Sequence, residues 1–199
     1  MKVQLPKING LVLAGGKSSR MGQSKGAIPW HGQEQHYFVA QLMKDFCHEV
    51  FISCRQEQKE YFNESCKLLV DQPTYSGPMA GMLAAFQTAP EIAWLVVACD
   101  LPLLDKNTIS FLITKRDALA IATAFVSPYD SLPEPLIAIW EPASFDVLKK
   151  AQSSGQNCPR KVLINNHPHL LTAPYPEALI NANTPQDREK VNRMLKNIR

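Results

Sequence analysis

The chain has 199 residues, enough for one domain with a sizeable core. Hydrophobic residues make up 45% and charged residues 20%, the balance of a globular domain rather than a disordered or fibrous one. A net charge of +3 is too small to point to nucleic acid or a membrane surface, and neither is expected as a partner.

The N-terminal residues Met1 to Pro6 lack the apolar core of a signal peptide. No apolar run approaches the roughly 20 residues that span a bilayer. Five cysteines (Cys47, Cys54, Cys66, Cys99 and Cys158) form no C-x-x-C pair, and the number is odd. Neither a disulfide framework nor a zinc site is expected. They read as reduced, mostly buried thiols of a cytoplasmic protein.

Leu11–Ala14 is a short apolar run bounded by glycines and reads as a buried parallel strand. It opens into a polar loop to about Lys25 that carries Gly15, Gly16 and Gly22 with Lys17, Arg20 and Lys25. Bare amides and cations leaving a strand suit a polyphosphate. Neither common phosphate motif fits. Five residues separate Gly16 from Gly22, and G-x-G-x-x-G is missing.

Gln33–Phe46 carries Phe38, Val39, Leu42, Met43 and Phe46 at helical spacing. Val50–Cys54 follows as a strand, Gln56–Asn63 as a short helix, and Leu68–Val70 as a third strand ending at Asp71. The turn-rich stretch Asp71–Pro78 leads into a helix over Met79–Thr88, with Pro78 in its first turn. Gly81 inside that helix costs about 1 kcal/mol against Ala, so a ligand or another backbone is expected close to it.

Trp94–Ala98 is the clearest strand and runs into Asp100. Lys106–Lys115 reads as a helix with Asn107 as cap, and Leu119–Phe125 as a strand. Pro128–Pro135 reads as a proline-punctuated loop. Then come a strand at Leu136–Trp140, helices at Pro142–Gln152 and Cys158–Asn165, and a strand at His169–Thr172. The last helix runs from Pro185 to about Lys196, with Thr184 as its cap.

This alternation predicts a single-domain α/β fold with a doubly wound, mostly parallel sheet. No linker separates a second domain, so residues 1–199 form one unit. Its pattern changes after Phe125, between a first part over about 8–125 and a second over about 126–199. In such sheets ligands bind beyond the carboxyl ends of the strands. The first loop, Asp71 and Asp100 all fall there. A carboxylate ending an apolar strand is costly to bury unless paired or metal-bound. Magnesium takes one or two carboxylates plus substrate phosphates, which makes Asp100 the metal-ligand candidate. A cap or turn role is the alternative for Asp100 and for Asp71, and a cap explains Asp105. His31, His36, His48, His167 and His169 show no metal-ligand spacing, and no nucleophilic triad stands out.

The string Leu13-Ala14-Gly15-Gly16-x-Ser18-x-Arg20-Met21-Gly22-x-x-Lys25 resembles the signature of the molybdenum cofactor guanylyltransferase family of nucleotidyltransferases. Four further segments are similar to that family. They are Asp100-x-Pro102, Gly77-Pro78-x-x-Gly81, Glu134-Pro135-Leu136 and Asn181-x-Asn183-Thr184-Pro185, so the likeness extends from Leu13 to Pro185. It implies a Rossmann-like nucleotidyltransferase fold, Mg2+ as cofactor, and GTP and molybdopterin as substrates. It also implies transient contact with cofactor-biosynthesis or molybdoenzyme-maturation proteins.

Carried onto this sequence, the resemblance makes Arg20, Lys25 and Asp100 catalytic, with Asp100 on the metal. It assigns Leu13, Ala14, Gly15, Gly16, Gly22, Lys25, Ser53, Asp71 and Asp100 to the nucleotide. Gly77, Pro78, Gly81, Asn181 and Asn183 go to the acceptor. Ala14-Gly15-Gly16 is the string of guanine-using members, where cytosine-using relatives have Ala-Ala-Gly. Ser24 departs from the family, many members of which are acidic before the lysine.

Arg160-Lys161 reads as a solvated helix face, with charge for an anionic acceptor as its alternative. The Asn181–Asn183 segment reads equally as a turn before a helix. Three other functions stay open on these residues. One is cytidylyl or other nucleotidyl transfer to a phosphorylated small molecule. Another is a non-catalytic nucleotide- or cofactor-binding module. The last is a dehydrogenase domain on a similar sheet, against which the missing dinucleotide motif argues.

Overall fold

A computed structural model describes residues 6–15 and 25–198, with the backbone alone at Lys25, Asn197 and Ile198. Seven strands among these residues form one sheet. They are β1 (Ile8–Leu13), β2 (Val50–Cys54), β3 (Lys67–Val70), β4 (Ala93–Ala98), β5 (Ala122–Val126), β6 (Pro133–Trp140) and β7 (His169–Leu171). Their order across the sheet is β3-β2-β1-β4-β6-β5-β7. Pairs β1–β2, β1–β4, β2–β3 and β5–β7 are parallel. Only β6 runs against its neighbours, between β4 and β5.

The chain leaves β1 toward β2 and β3 on one side, then returns to place β4 on the other. The order therefore reverses between β1 and β4, and a crevice opens beyond their carboxyl ends.

The described residues form six α-helices, α1 (Gln35–Met43), α2 (Pro78–Thr88), α3 (Lys106–Thr114), α4 (Ser144–Ser153), α5 (Pro159–Asn165) and α6 (Pro185–Ile198), and both faces of the sheet are covered. Strand residues alternate between two cores. Val12, Leu95 and Val97 pack with Val39 and Met43 of α1 and Ile109 and Leu112 of α3. Leu11, Trp94 and Val96 pack with Met82 and Phe86 of α2 and Leu148 of α4. Two covered faces explain why β4 is apolar and buried at every position. A smaller cluster joins Ile28 and Trp30, just after Lys25, to Ile180 and Ala182 and to Val191 of α6.

Several boundaries differ from those the sequence predicts. The strand expected at Leu119 starts at Ala122 instead. Asp117 Oδ1 accepts from the N–H of Leu119 at 2.9 Å, a local turn that leaves Leu119 exposed. The prolines at 133 and 135 lie within β6 rather than in a loop. They precede Ile137, the β6 residue at which pairing with β4 ends, so the missing N–H groups leave that pairing intact. A bulge between Ala124 and Phe125 sets the register beside them. Asp105 rather than Asn107 caps α3, accepting from the N–H of Thr108 at 2.8 Å. Helix α1 is shorter than expected, starting at Gln35 and ending at Met43. The short element after β2 is a 3-10 turn, Gln56–Tyr61.

Thr184 caps α6 as expected. Its Oγ1 accepts from the N–H of Asp187 at 3.2 Å, and Asp187 Oδ2 accepts from the N–H of Thr184 at 2.9 Å. Cys54 and Cys99 are buried and Cys158 is exposed. No helix among the described residues is long and apolar enough to cross a membrane.

Candidate active site

Two strand ends build the first half of the site. The N–H of Ala14, just past β1, donates to Ser53 O at 3.1 Å, and the N–H of Asp71, just past β3, donates to Cys54 O at 2.8 Å. These bonds extend the parallel ladder by one step and bring residues 14, 53 and 71 to one rim. Ser53 Oγ then donates to Asp71 Oδ1 at 2.5 Å. The other carboxylate oxygen faces the chain at Gly15, where a Cβ would lie 2.7 Å from Asp71 Oδ2. Glycine is needed at 15 because the acid occupies the space a side chain would take.

Burial pushes the Asp71 carboxyl above its ordinary range. The Ser53 hydroxyl and the Arg55 charge pull it back, while Glu57 adds to the rise. Arg55 is itself paired with Glu57 at 3.0 Å.

A cavity of about 840 Å³ opens over this rim, lined among others by Leu13, Gly15, Ser53, Asp71, Gly77 and Asp100. That volume suits a nucleoside triphosphate. A second cavity of about 400 Å³ adjoins it, where Glu134, Arg160, Asn181 and Asn183 meet Pro78 and Asp100. Asp100, Pro78 and Leu136 line both. Asp100 follows β4, at the point where the strand order reverses, and so stands at the seam between the two spaces.

The structure thus brings together Leu13, Ala14, Gly15, Ser53, Asp71, Gly77, Pro78 and Asp100 at the first cavity, and Asn181 and Asn183 at the second. Gly77, expected at the acceptor, lines the first cavity, while Pro78 lines both. Gly81 lines neither. A Cβ there would run into Ser53 Oγ and lie 2.8 Å from Leu13 Cδ2. The close neighbours of Gly81 are therefore side chains of β2 and β1 rather than the ligand or backbone expected, and its missing Cβ lets α2 settle onto the sheet beneath the site. Gly16, Arg20 and Gly22 lie outside the described residues. Lys25 begins a 3-10 turn, Lys25–Ala27. In that turn a Cβ at Gly26 would lie 3.4 Å from Cys99 Sγ, so the backbone carrying Lys25 reaches the residue before Asp100.

Arg160 is not a solvated face. It donates to Asp130 Oδ2 at 2.7 Å and to Glu134 Oε2 at 2.9 Å, and it lines the second cavity. Its partners lie 30 and 26 residues away along the chain, which local sequence does not reveal. Arg55 was also missed. Its position just after β2, two residues beyond Ser53, is the signal that would have found it.

Residues 10–170 match the family described as the MobA-like NTP transferase domain. The chain belongs to that family. Among its curated relatives, a molybdenum cofactor biosynthesis bifunctional protein of Synechocystis is 34% identical over 184 residues. That match takes in 92% of this chain but 53% of the relative, so the chain spans about half the length of the bifunctional protein. A molybdenum cofactor guanylyltransferase of Pseudomonas entomophila is 29% identical over 94% of this chain and 98% of the relative. The crystal structure of molybdopterin-guanine dinucleotide biosynthesis protein A from Archaeoglobus fulgidus superposes with a TM-score of 0.75. It covers 95% of this chain and 99% of that one at 21% identity, a likeness of fold. Membership makes the chain a nucleotidyltransferase.

Proposed function

We propose that this nucleotidyltransferase transfers GMP from GTP to the terminal phosphate of molybdopterin, forming the guanine dinucleotide and releasing pyrophosphate. The observation that carries the reading is the seam. Asp100 lines both cavities, so a triphosphate in the larger and a phosphorylated acceptor in the smaller meet beside one carboxylate.

An oxygen of the acceptor phosphate attacks the α-phosphorus of GTP. The α–β phosphoanhydride bond breaks, and its electrons leave with pyrophosphate. A phosphate monoester, with its second pKa of about 6, is already ionised near neutrality, so the step needs no strong base. The site's contribution is positioning and charge. Asp71, an acceptor-only group when ionised, suits the N1–H and N2–H edge of guanine, and Ser53 holds it in place. This favours GTP over CTP, whose base offers acceptors at the matching edge. Arg20 and Lys25 offset charge on the phosphates. Asn181 and Asn183 contact the acceptor, and Arg160, fixed by Asp130 and Glu134, adds positive charge beside it.

The donor set fits Mg2+. Asp100 is a hard oxygen ligand at the seam and lines the cavity whose volume suits a triphosphate. That suits an ion whose coordination is completed by phosphates and water. Bound there, it would supply Lewis-acid neutralisation of phosphate charge. An odd number of cysteines without C-x-x-C spacing fits a reducing cytoplasm. The protein partners on this reading are cofactor-biosynthesis and molybdoenzyme-maturation proteins.

A pyrophosphate-release assay with GTP, Mg2+ and molybdopterin tests the proposal. Release that requires molybdopterin and is lost when CTP replaces GTP is expected. GTP binding with no release would leave a binding module instead.

A further inference from the structure

The three carbonyls from Asp100 to Pro102 are each taken by a donor from elsewhere in the chain, two of them from residues 31–35 and one from residue 182. The N–H of Ala182 donates to Asp100 O at 2.9 Å. Gln35 Nε2 donates to Leu101 O at 3.1 Å, and His31 Nε2 lies 2.8 Å from Pro102 O. A carbonyl only accepts, so His31 carries its proton on Nε2. The imidazole is held in place by stacking on Phe38, ring centroids 3.7 Å apart.

Gln35 is fully buried, and its Oε1 has no hydrogen-bond partner among the described residues. Burying an amide with one end unmatched is costly, and a leucine or methionine would fill the space without that cost. The gain lies at the other end of the amide, on the Leu101 carbonyl. Two side chains from the stretch that follows the Lys25 turn therefore grip the backbone just past Asp100. Gly26, in that turn, rests against Cys99 from the same side.

We propose that His31 and Gln35 are positioning residues for Asp100. Neither touches the cavities. They anchor the two peptide carbonyls that follow Asp100 and so hold its carboxylate at the seam. This rests on the nucleotidyl-transfer reading. It goes beyond it by assigning the placement of the carboxylate to two residues near the start of α1.

His31→Phe keeps the stack on Phe38 and removes the donor. Gln35→Met keeps the volume and removes the amide. A misplacement of about 1 Å can cost about 100-fold in rate, so a kcat loss of about tenfold is expected from each variant. The KM for GTP stays near wild type, and Mn2+ affinity in the presence of GTP, read from the electron paramagnetic resonance of free Mn2+, weakens several-fold. A purely structural role would lower the melting temperature and leave the Mn2+ affinity of the folded protein unchanged. Wild-type kcat and Mn2+ affinity in the variants would overturn the proposal. Should Gln35→Met fail to fold, the half-buried His31→Phe decides alone. Wild-type protein that binds Mn2+ and GTP but releases no pyrophosphate overturns the functional reading instead, with the Mn2+ affinities still judging the positioning role.

Discussion

Ser53 and Asp71 join the ends of two neighbouring strands through a single hydrogen bond of 2.5 Å, from hydroxyl to carboxylate. The bond gives one half of the candidate nucleotide cavity a fixed acceptor at a cost to the folded chain, because burial raises the Asp71 carboxyl.

Asp71→Asn should therefore raise the melting temperature of the ligand-free protein near pH 7 while weakening GTP binding. With a raised folded pKa, the native state holds its proton to higher pH than the unfolded chain, whose value is about 3.8. The wild type gains stability as pH falls through the folded pKa, and the gain is complete once pH is below the unfolded value. The advantage of asparagine should then be full at pH 7.5 and shrink toward pH 4. Thermal melts at both values check it, with a lower melting point for the variant at pH 7.5 as the contrary result.

Gly15→Ala places a methyl 2.7 Å from Asp71 Oδ2. The carboxylate must move away from the position in which it would read guanine. The KM for GTP should rise about tenfold, the scale of one hydrogen bond to a charged group. Combining it with Asp71→Asn tests the coupling. The two effects should add to less than their sum, because both act through one carboxylate.

Lys25→Ala and Asp100→Ala should each lower kcat by about 100-fold, the scale of removing one electrostatic contact from a prepared site. Circular dichroism should find both folded. Full turnover by either protein in excess Mg2+ would remove that residue from the mechanism.

Arg116 and Glu141 form a bidentate pair away from the cavities, at 2.6 and 2.7 Å, with side chains 6% and 1% exposed. Arg116 Nη1 also donates to Pro6 O at 2.8 Å. Arg116→Met strands a buried carboxylate and should cost about 3–5 kcal/mol in urea unfolding. The double variant with Glu141→Leu should recover much of that loss, since a buried pair is expensive to desolvate and an apolar pair is not.

Local pattern was enough for much of this molecule. The runs at 11–14, 50–54, 68–70 and 94–98 announce strands, of which β4 is buried at every position and β3, at the sheet edge, only in part. The acids at 71 and 100 announce where two of those strands stop. The spaced residues from Leu13 to Lys25 carry the family likeness, because a motif of this kind is built from near neighbours in sequence. Leu119 shows the limit. Its apolar character suggested a strand, yet the Asp117 side chain turned the backbone and left it in solvent.

What the sequence by itself determined was the run of elements, the rim that carries the candidate site, and the family. Tertiary structure alone decided that β6 enters antiparallel between β4 and β5, and that Ser53 rather than a ligand faces Gly81. It also decided that Arg160 is held by two acids, and that His31, Gln35 and Ala182 converge on three successive carbonyls. Periodicity and turn chemistry act over a few residues and can be read in order. These contacts join residues tens of positions apart, and they form only when the whole sheet has chosen its neighbours.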